Sequence, residues 1–273
     1  MSKLIKRAFL DTEDGQIHYR IGGEGEPLLL LHMNPRSSDE YRELMPLLAR
    51  KYRVMAMDFM GFGDSDKPPR QYSVADYAKT IIALLDEIGI EKANILGNHT
   101  GTFVSGEVAA AYPDRVNKLI LANIDYFDER NRAEIHNTYH EALQIQEDGS
   151  HLIERWKFFS SYIDSIELRH RCFVDELKCH GYPPYGILAV IDYTERLVER
   201  LGLISCPTLI LSGTEDIKEL ERLGFATPEN RQLITKVISH AKAVDIEGGT
   251  RCMMNQMPEE ISKVVVDFLT QSR

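Results

Sequence analysis

A histidine flanked by two glycines, Gly97-Asn98-His99-Thr100-Gly101, stands where a strand turns into a helix. The strand is Ala93-Asn94-Ile95-Leu96, and the helix runs through Phe103, Val104, Val108 and Ala109 to Tyr112-Pro113. So sharp a turn holds its central residue in a strained conformation, and the glycines remove Cβ atoms that would collide. The spacing is that of a Gly-x-Ser-x-Gly elbow with an imidazole in place of the hydroxyl. An imidazole at such a point is suited to moving a proton, because its ordinary pKa of about 6.5 lies near neutrality.

The elbow needs a sheet to carry it. Ala8-Phe9-Leu10 and Ile17-His18-Tyr19-Arg20-Ile21 alternate like paired antiparallel strands around a turn at Glu13-Asp14-Gly15. Pro27 to His32 reads as a strand buried on both faces, followed by a helix from Ser38 to about Tyr52. Val54 to Asp58 is the next strand, and Tyr77, Ile81, Leu84, Leu85 and Ile88 give helical spacing from Ser73. After the elbow come strands at Lys118–Asn123, Pro207–Gly213 and Ala243–Ile246, with a closing helix from Pro258 to about Leu269. Strands alternating with helices predict an α/β fold: a mostly parallel eight-stranded sheet with helices on both faces and the site at the strands' carboxyl ends. Residues 126–202 interrupt the alternation with helix formers, aromatics and charge. They are expected to form an inserted helical cap over a core made of 1–125 and 203–273.

The chain has 273 residues, 43% hydrophobic and 27% charged, which suits one large globular core with an insertion. Its formal charge of −10 and lack of a basic cluster argue against a nucleic-acid partner. The N-terminal residues show no signal-peptide pattern and no stretch resembles a membrane span, so a cytoplasmic location without membrane contact is expected, as monomer or homodimer. Cys172, Cys179, Cys206 and Cys252 lack metal-site or disulfide spacing, and no nucleotide fingerprint is present. Neither metal nor cofactor is expected.

These features resemble the α/β-hydrolase superfamily, in the branch with haloalkane dehalogenases, epoxide hydrolases and carbon–carbon bond hydrolases. Besides the elbow, the resemblance rests on Leu31-His32, on the stretch Asp58 to Pro68, on Leu211-Ser212-Gly213-Thr214-Glu215-Asp216, and on Gln256-Met257-Pro258-Glu259-Glu260. It implies a nucleophile at His99, an acid at Asp216 and a histidine where Arg251 stands, so two of three familiar positions have changed. It also implies an oxyanion hole from the backbone N–H groups of Met33 and Thr100. Asp58 and Ser65 then identify the fold and carry no chemistry.

Arginine is permanently protonated and cannot serve as the base that a serine mechanism needs. The expected catalytic set is therefore His99, Asp216 and Arg251. Its reading is a non-serine hydrolase or lyase in which His99 is a general acid/base acting on a small organic molecule, including carboxylate-bearing ones. The helix N-terminus and the Arg251 cation are expected to keep the ring neutral. Arg251 is free to hold an anionic group or to pair with Asp216. His32, Asn98, Asp125, Tyr126, Trp156 and Tyr185 are expected around the substrate pocket, although the cap aromatics would serve equally as the cap's own core. His136, His140, His151, His170 and His180 fall in the cap without an assigned role. The competing reading is a catalytically inactive relative acting as a ligand receptor or partner-binding protein.

Overall fold

A computed structural model describes residues 5–129, 131–135, 145–179, 185–225 and 227–271. The eight expected strands are β1 (Lys6–Thr12), β2 (Gly15–Gly22), β3 (Glu26–Leu31), β4 (Tyr52–Met57), β5 (Ala93–Asn98), β6 (Val116–Ala122), β7 (Thr208–Gly213) and β8 (Lys242–Ile246). They form one sheet in the order β1-β2-β4-β3-β5-β6-β7-β8. The β1/β2 and β2/β4 pairs are antiparallel and the remaining neighbours are parallel.

The apolar run of β3 has a direct cause in the two-residue period of a strand. Leu29 and Leu31 enter one core with Met55, Met57, Ile95 and Leu121, covered by the helices Val74–Glu87 and Thr100–Ala111. Leu28 and Leu30 enter the opposite core with Val54, Ala56, Leu96 and Ile120, covered by the helices Leu44–Leu48 and Pro258–Thr270. Helix Val74–Glu87 starts at a capping box in which Ser73 and Asp76 satisfy each other's backbone N–H.

The helix expected from Ser38 to about Tyr52 is instead two short pieces, a 3-10 turn at Ser38–Tyr41 and the helix Leu44–Leu48. Pro46 supplies no N–H and its ring excludes a helical residue four positions earlier, so one continuous helix cannot run through it. Two further helices, Thr214–Arg222 and Pro228–Val237, stand between β7 and β8. The second has a legible start, since Thr227 caps it through its side chain and Pro228 occupies its first turn.

Between β6 and β7 lie the helices Ser150–Phe159, Ile166–Cys179, Tyr185–Tyr193 and Leu197–Leu201. They dock through charge pairs, one buried and one half-buried: Arg36 Nε donates to Asp175 Oδ2 at 2.8 Å, and Arg200 Nε to Glu107 Oε2 at 2.7 Å. A small apolar cluster of Met33, Phe159, Ile163, Cys172 and Cys252 joins the insertion to the loops after β3 and β8. No helix among the described residues is long and apolar enough to cross a membrane.

The elbow leaves no room for side chains at its glycines. A Cβ on Gly97 would lie 2.1 Å from the Gly101 carbonyl oxygen, and one on Gly101 would lie 2.1 Å from the Leu31 carbonyl oxygen. Both obstacles are backbone, which cannot swing aside. Gly101→Ala is expected to destabilise the fold by about 1–3 kcal/mol or more through overpacking, measured as a lowered denaturant midpoint with an unchanged slope. A substitution with no loss of stability would show that the elbow helix and β3 are not in this close contact.

Candidate active site

All the site residues follow strands at one edge of the sheet: Met33 after β3, His99 after β5, Asp125 after β6, Asp216 after β7 and Arg251 after β8. His99 has φ 44° and ψ −111°, a conformation that side-chain-bearing residues rarely adopt. The neighbourhood holds it there. His99 N–H donates to the Ala122 carbonyl at 3.0 Å, while its own carbonyl accepts from Thr102 N at 2.8 Å and Thr102 Oγ1 at 2.6 Å. Asn123, at φ 52°, is similarly tied: its N–H donates to the Leu211 carbonyl and its Oδ1 accepts from Gly213 N, both at 2.8 Å.

The strained turn aims the imidazole into a cavity of about 390 Å³. Its side chain is 16% exposed and stands between two carboxylates, with Nδ1 3.4 Å from Asp125 Oδ2 and Nε2 3.1 Å from Asp216 Oδ2. Arg251 lines the same cavity. Its Nε is 3.7 Å from Asp216 Oδ1 and its Nη2 3.5 Å from Glu219 Oε2, while its guanidinium carbon lies 5.1 Å from the Tyr162 ring centre and 5.3 Å from that of Phe158. Asp216, 2% exposed, thus lies behind the ring and the guanidinium, whereas Asp125 lines the cavity beside His99.

This arrangement reverses the expected protonation state. Burial alone would push the His99 pKa down, but the Asp216 charge and the contacts with Asp125 outweigh it and raise the value to about 10. The ring is therefore an imidazolium at neutral pH, not the neutral imidazole expected from the helix N-terminus and Arg251. Two adjacent carboxylates outweigh a partial helix charge and one guanidinium. Burial pushes the Asp125 carboxyl up, while Asp216 stays below the usual carboxylate value because the His99 and Arg251 charges overcome its burial.

The expected oxyanion pair is also altered. Met33 N–H donates to the buried Glu40 Oε2 at 2.8 Å, so this amide is turned to a carboxylate of the protein rather than offered to a ligand. Thr100 opens the elbow helix, where an amide has no intrahelical acceptor, and its hydroxyl accepts from Asn34 N at 3.1 Å. Glu40 was not singled out in the sequence, yet it joins the loop to the elbow by also accepting from Asn98 Nδ2. Burial raises its pKa to about 7 against the pull of Arg36 and those two hydrogen bonds.

Four expected pocket residues lie outside the cavity wall. His32 is buried under the loop, with Nδ1 2.8 Å from the Met33 carbonyl and Nε2 accepting from Phe59 N at 3.0 Å; burial lowers its pKa, and the neutral ring props the turn. Asn98 points away from His99, donating to Glu40 and, at 3.3 Å, to the Arg251 carbonyl. Tyr126 packs against the main core, and Trp156 stacks edge-on with Phe173 at 5.7 Å. The Tyr185 side chain, with His136, His140 and His180, lies outside the described residues. The wall is formed instead largely by Phe103, Phe127, Phe158, Phe159, Ile187 and Leu220.

Asp58 and Ser65 are spent on the loop after β4. Asp58 accepts from Ser38 N at 2.7 Å and Asp64 N at 2.9 Å and contacts His18 Nδ1 at 2.8 Å; despite burial, the His18 hydrogen bond helps lower its pKa to about 2. Ser65 Oγ donates to the Asp58 carbonyl at 2.8 Å. His18, Asp58 and Asp64 have the spacing of metal ligands, but Arg7 Nε donates to His18 Nε2 at 3.0 Å and Lys178 Nζ to Asp64 Oδ1 at 2.7 Å. Protein cations already serve that cluster.

Residues 26–218 match the family described as alpha/beta hydrolase fold. Haloalkane dehalogenase 2 of Mycobacterium bovis is 34% identical over 116 residues, which is 42% of this chain and 41% of that protein. The match therefore spans about two fifths of that relative's length. The (E)-2-((N-methylformamido)methylene)succinate hydrolase of Acinetobacter baylyi is 24% identical over 97% of this chain and 98% of its own. An esterase from Exiguobacterium antarcticum has a similar fold, with a TM-score of 0.80 at 19% identity, covering 96% of this chain and 99% of its own. The extent of the family match, the mostly parallel eight-stranded sheet and the strained strand-to-helix turn lead to one assignment: the chain belongs to the alpha/beta hydrolase fold family.

Proposed function

We propose that the protein is a hydrolase or lyase for a small organic molecule, using His99 as general acid/base without a serine nucleophile. The observation that carries this reading is the strained elbow that places an imidazolium in an apolar cavity between two carboxylates. Residues 126–202 act as a helical cap on a core of 1–125 and 203–273. Helix Ser150–Phe159 supplies Arg155, Phe158 and Phe159 to the cavity wall, which supports that division.

In the hydrolytic form, His99 gives its proton to the leaving oxygen as the scissile bond breaks. Asp125 takes a proton from the attacking water, whose hydroxyl becomes part of the product. The 3.4 Å separation lets Asp125 return that proton to His99, restoring both groups. Asp216 keeps the ring charged and oriented; Arg251 holds Asp216, and Glu219 in turn holds Arg251. A ligand receptor is the second reading. Glu40 favours it by occupying the Met33 amide that an acyl-transfer site would use for its oxyanion.

A metabolite screen by thermal shift identifies ligands, since binding to the folded state raises the melting temperature. With a ligand that is consumed, His99→Ala is expected to lower kcat by about 10²–10⁴-fold; wild-type turnover by that variant would refute the role of His99. Recovery of every tight ligand unchanged would establish the receptor reading.

The wild-type protein is expected to resist a fluorophosphonate probe, because no serine lines the cavity among the described residues. The double substitution His99→Ser with Arg251→His rebuilds a nucleophile and base and is expected to gain labelling at position 99. Labelling of wild-type Ser65 or Ser105 would contradict the mechanism.

His99 titration can be followed by NMR of labelled imidazole. Its signal is expected to show no transition around the ordinary value of about 6.5 and to titrate near pH 10, with Asp216→Asn lowering the midpoint. Because the folded value is raised, the stabilisation from this group is fully present below about pH 6.5 and lost as pH rises through about 10. Acid catalysis by His99 fades over the same upper limb. A midpoint near neutrality would mean that the two carboxylates do not hold the ring as described.

A further inference from the structure

Resting on the reading that this cavity is the substrate site, we propose that it selects an uncharged ligand and that Asp125 is the residue that excludes anions. The sequence left two uses open for Arg251, holding an anionic group or pairing with Asp216. The geometry gives each cation on the wall its own carboxylate.

Arg251 faces Asp216 and Glu219 at 3.7 and 3.5 Å. Arg155 holds Glu176 through two parallel hydrogen bonds, one of them 2.9 Å from Nη2 to Oε2. Arg36, fully buried, donates to Asp175 at 2.8 Å. His99 is shared by Asp125 and Asp216. Among the described residues the carboxylates in these pairs therefore outnumber the cations by one, Asp216 being common to two of them. A ligand carboxylate would have to draw a cation from an existing partner and leave that partner buried without compensation, which is strongly unfavourable in a site of low polarity.

Asp125 decides the sign of the field that a ligand meets. Of the paired carboxylates, Asp125 and Glu176 line the cavity. Glu176 is enclosed and bound twice by Arg155. Asp125 is 11% exposed and has the His99 Nδ1 at 3.4 Å, a cation it must share. Its negative charge is thus presented to whatever enters.

A cationic ligand fares no better. The His99 imidazolium borders the same space, and Arg251 already lies against the Phe158 and Tyr162 rings, whose faces would otherwise attract a cation. What remains is an apolar chamber with Phe103, Phe127 and Phe225 in its wall and a proton donor at its polar end. An uncharged molecule carrying an oxygen acceptor fits both.

The test uses matched pairs that share a body and differ in charge: benzyl alcohol and benzoate, 2-phenylethanol and phenylacetate, 1-hexanol and hexanoate. Dissociation constants are read at neutral pH from the shift of the labelled His99 ring signal in the full-length protein. The alcohols are expected to bind, with each carboxylate weaker by about tenfold or more because like charges are brought together. Asp125→Asn is expected to close most of that gap by improving carboxylate binding. Equal or tighter binding of the carboxylates to the wild type would overturn the proposal, as would failure of every probe to move the His99 signal at millimolar concentration. An unchanged gap in Asp125→Asn would overturn the role of Asp125. These readouts do not involve turnover, so they stand apart from the His99→Ala test of catalysis.

Discussion

The imidazolium held between Asp125 and Asp216 is the interaction around which the site is organised. A charge placed in a largely apolar cavity persists only if opposite charge lies close to it. The family fold brings the ends of β5, β6 and β7 together, and each contributes one member of the trio. Arg251, from the loop after β8, then balances Asp216, and Glu219 balances Arg251 in turn. The chain of alternating charges extends from the cavity to the helix Thr214–Arg222.

Backbone strain makes this placement reproducible. His99 and Asn123 both have positive φ, at the ends of adjacent strands. Positive φ at a residue with a side chain costs of order 1–3 kcal/mol and persists because hydrogen bonds on either side fix the turn. Behind the elbow, Glu40 joins the Met33 amide to Asn98, and Asn98 reaches the Arg251 carbonyl. The loop after β3, the elbow and the Arg251 loop are thereby tied to one another on the side away from the ligand. The same bonding turns the Met33 amide to a carboxylate of the protein, on the side of the elbow away from the His99 ring.

Much of the frame was legible in the residues themselves. The Leu28 to Leu31 run, the glycines at positions 97 and 101 and the helical spacing from Tyr77 to Ile88 each have a local physical reason, and the strands and elbow fall where those reasons place them. His99 and Arg251 line the same cavity, and Asp216 lies behind it against both. Neighbouring assignments failed where a side chain's direction mattered more than its proximity in sequence. Asn98 precedes His99 and therefore leaves the backbone on another side, while His32 folds back to accept from Phe59. Trp156 belongs to a packed aromatic group rather than to the cavity wall. The helix after β3 is broken because Pro46 cannot sit inside a continuous one.

From its sequence alone the chain determined its layers, the succession of strands and helices along it, and the chemical types gathered at the carboxyl edge, because periodicity and turn residues act over short stretches. Only the tertiary structure decided the charge on His99, the loss of the Met33 amide to Glu40 and the pairing of each arginine. Those depend on distances of a few ångströms between residues far apart in the chain, such as His99 with Asp216 and Arg36 with Asp175. Electrostatic energy changes steeply over that range and depends on burial, and a linear order of residues specifies neither.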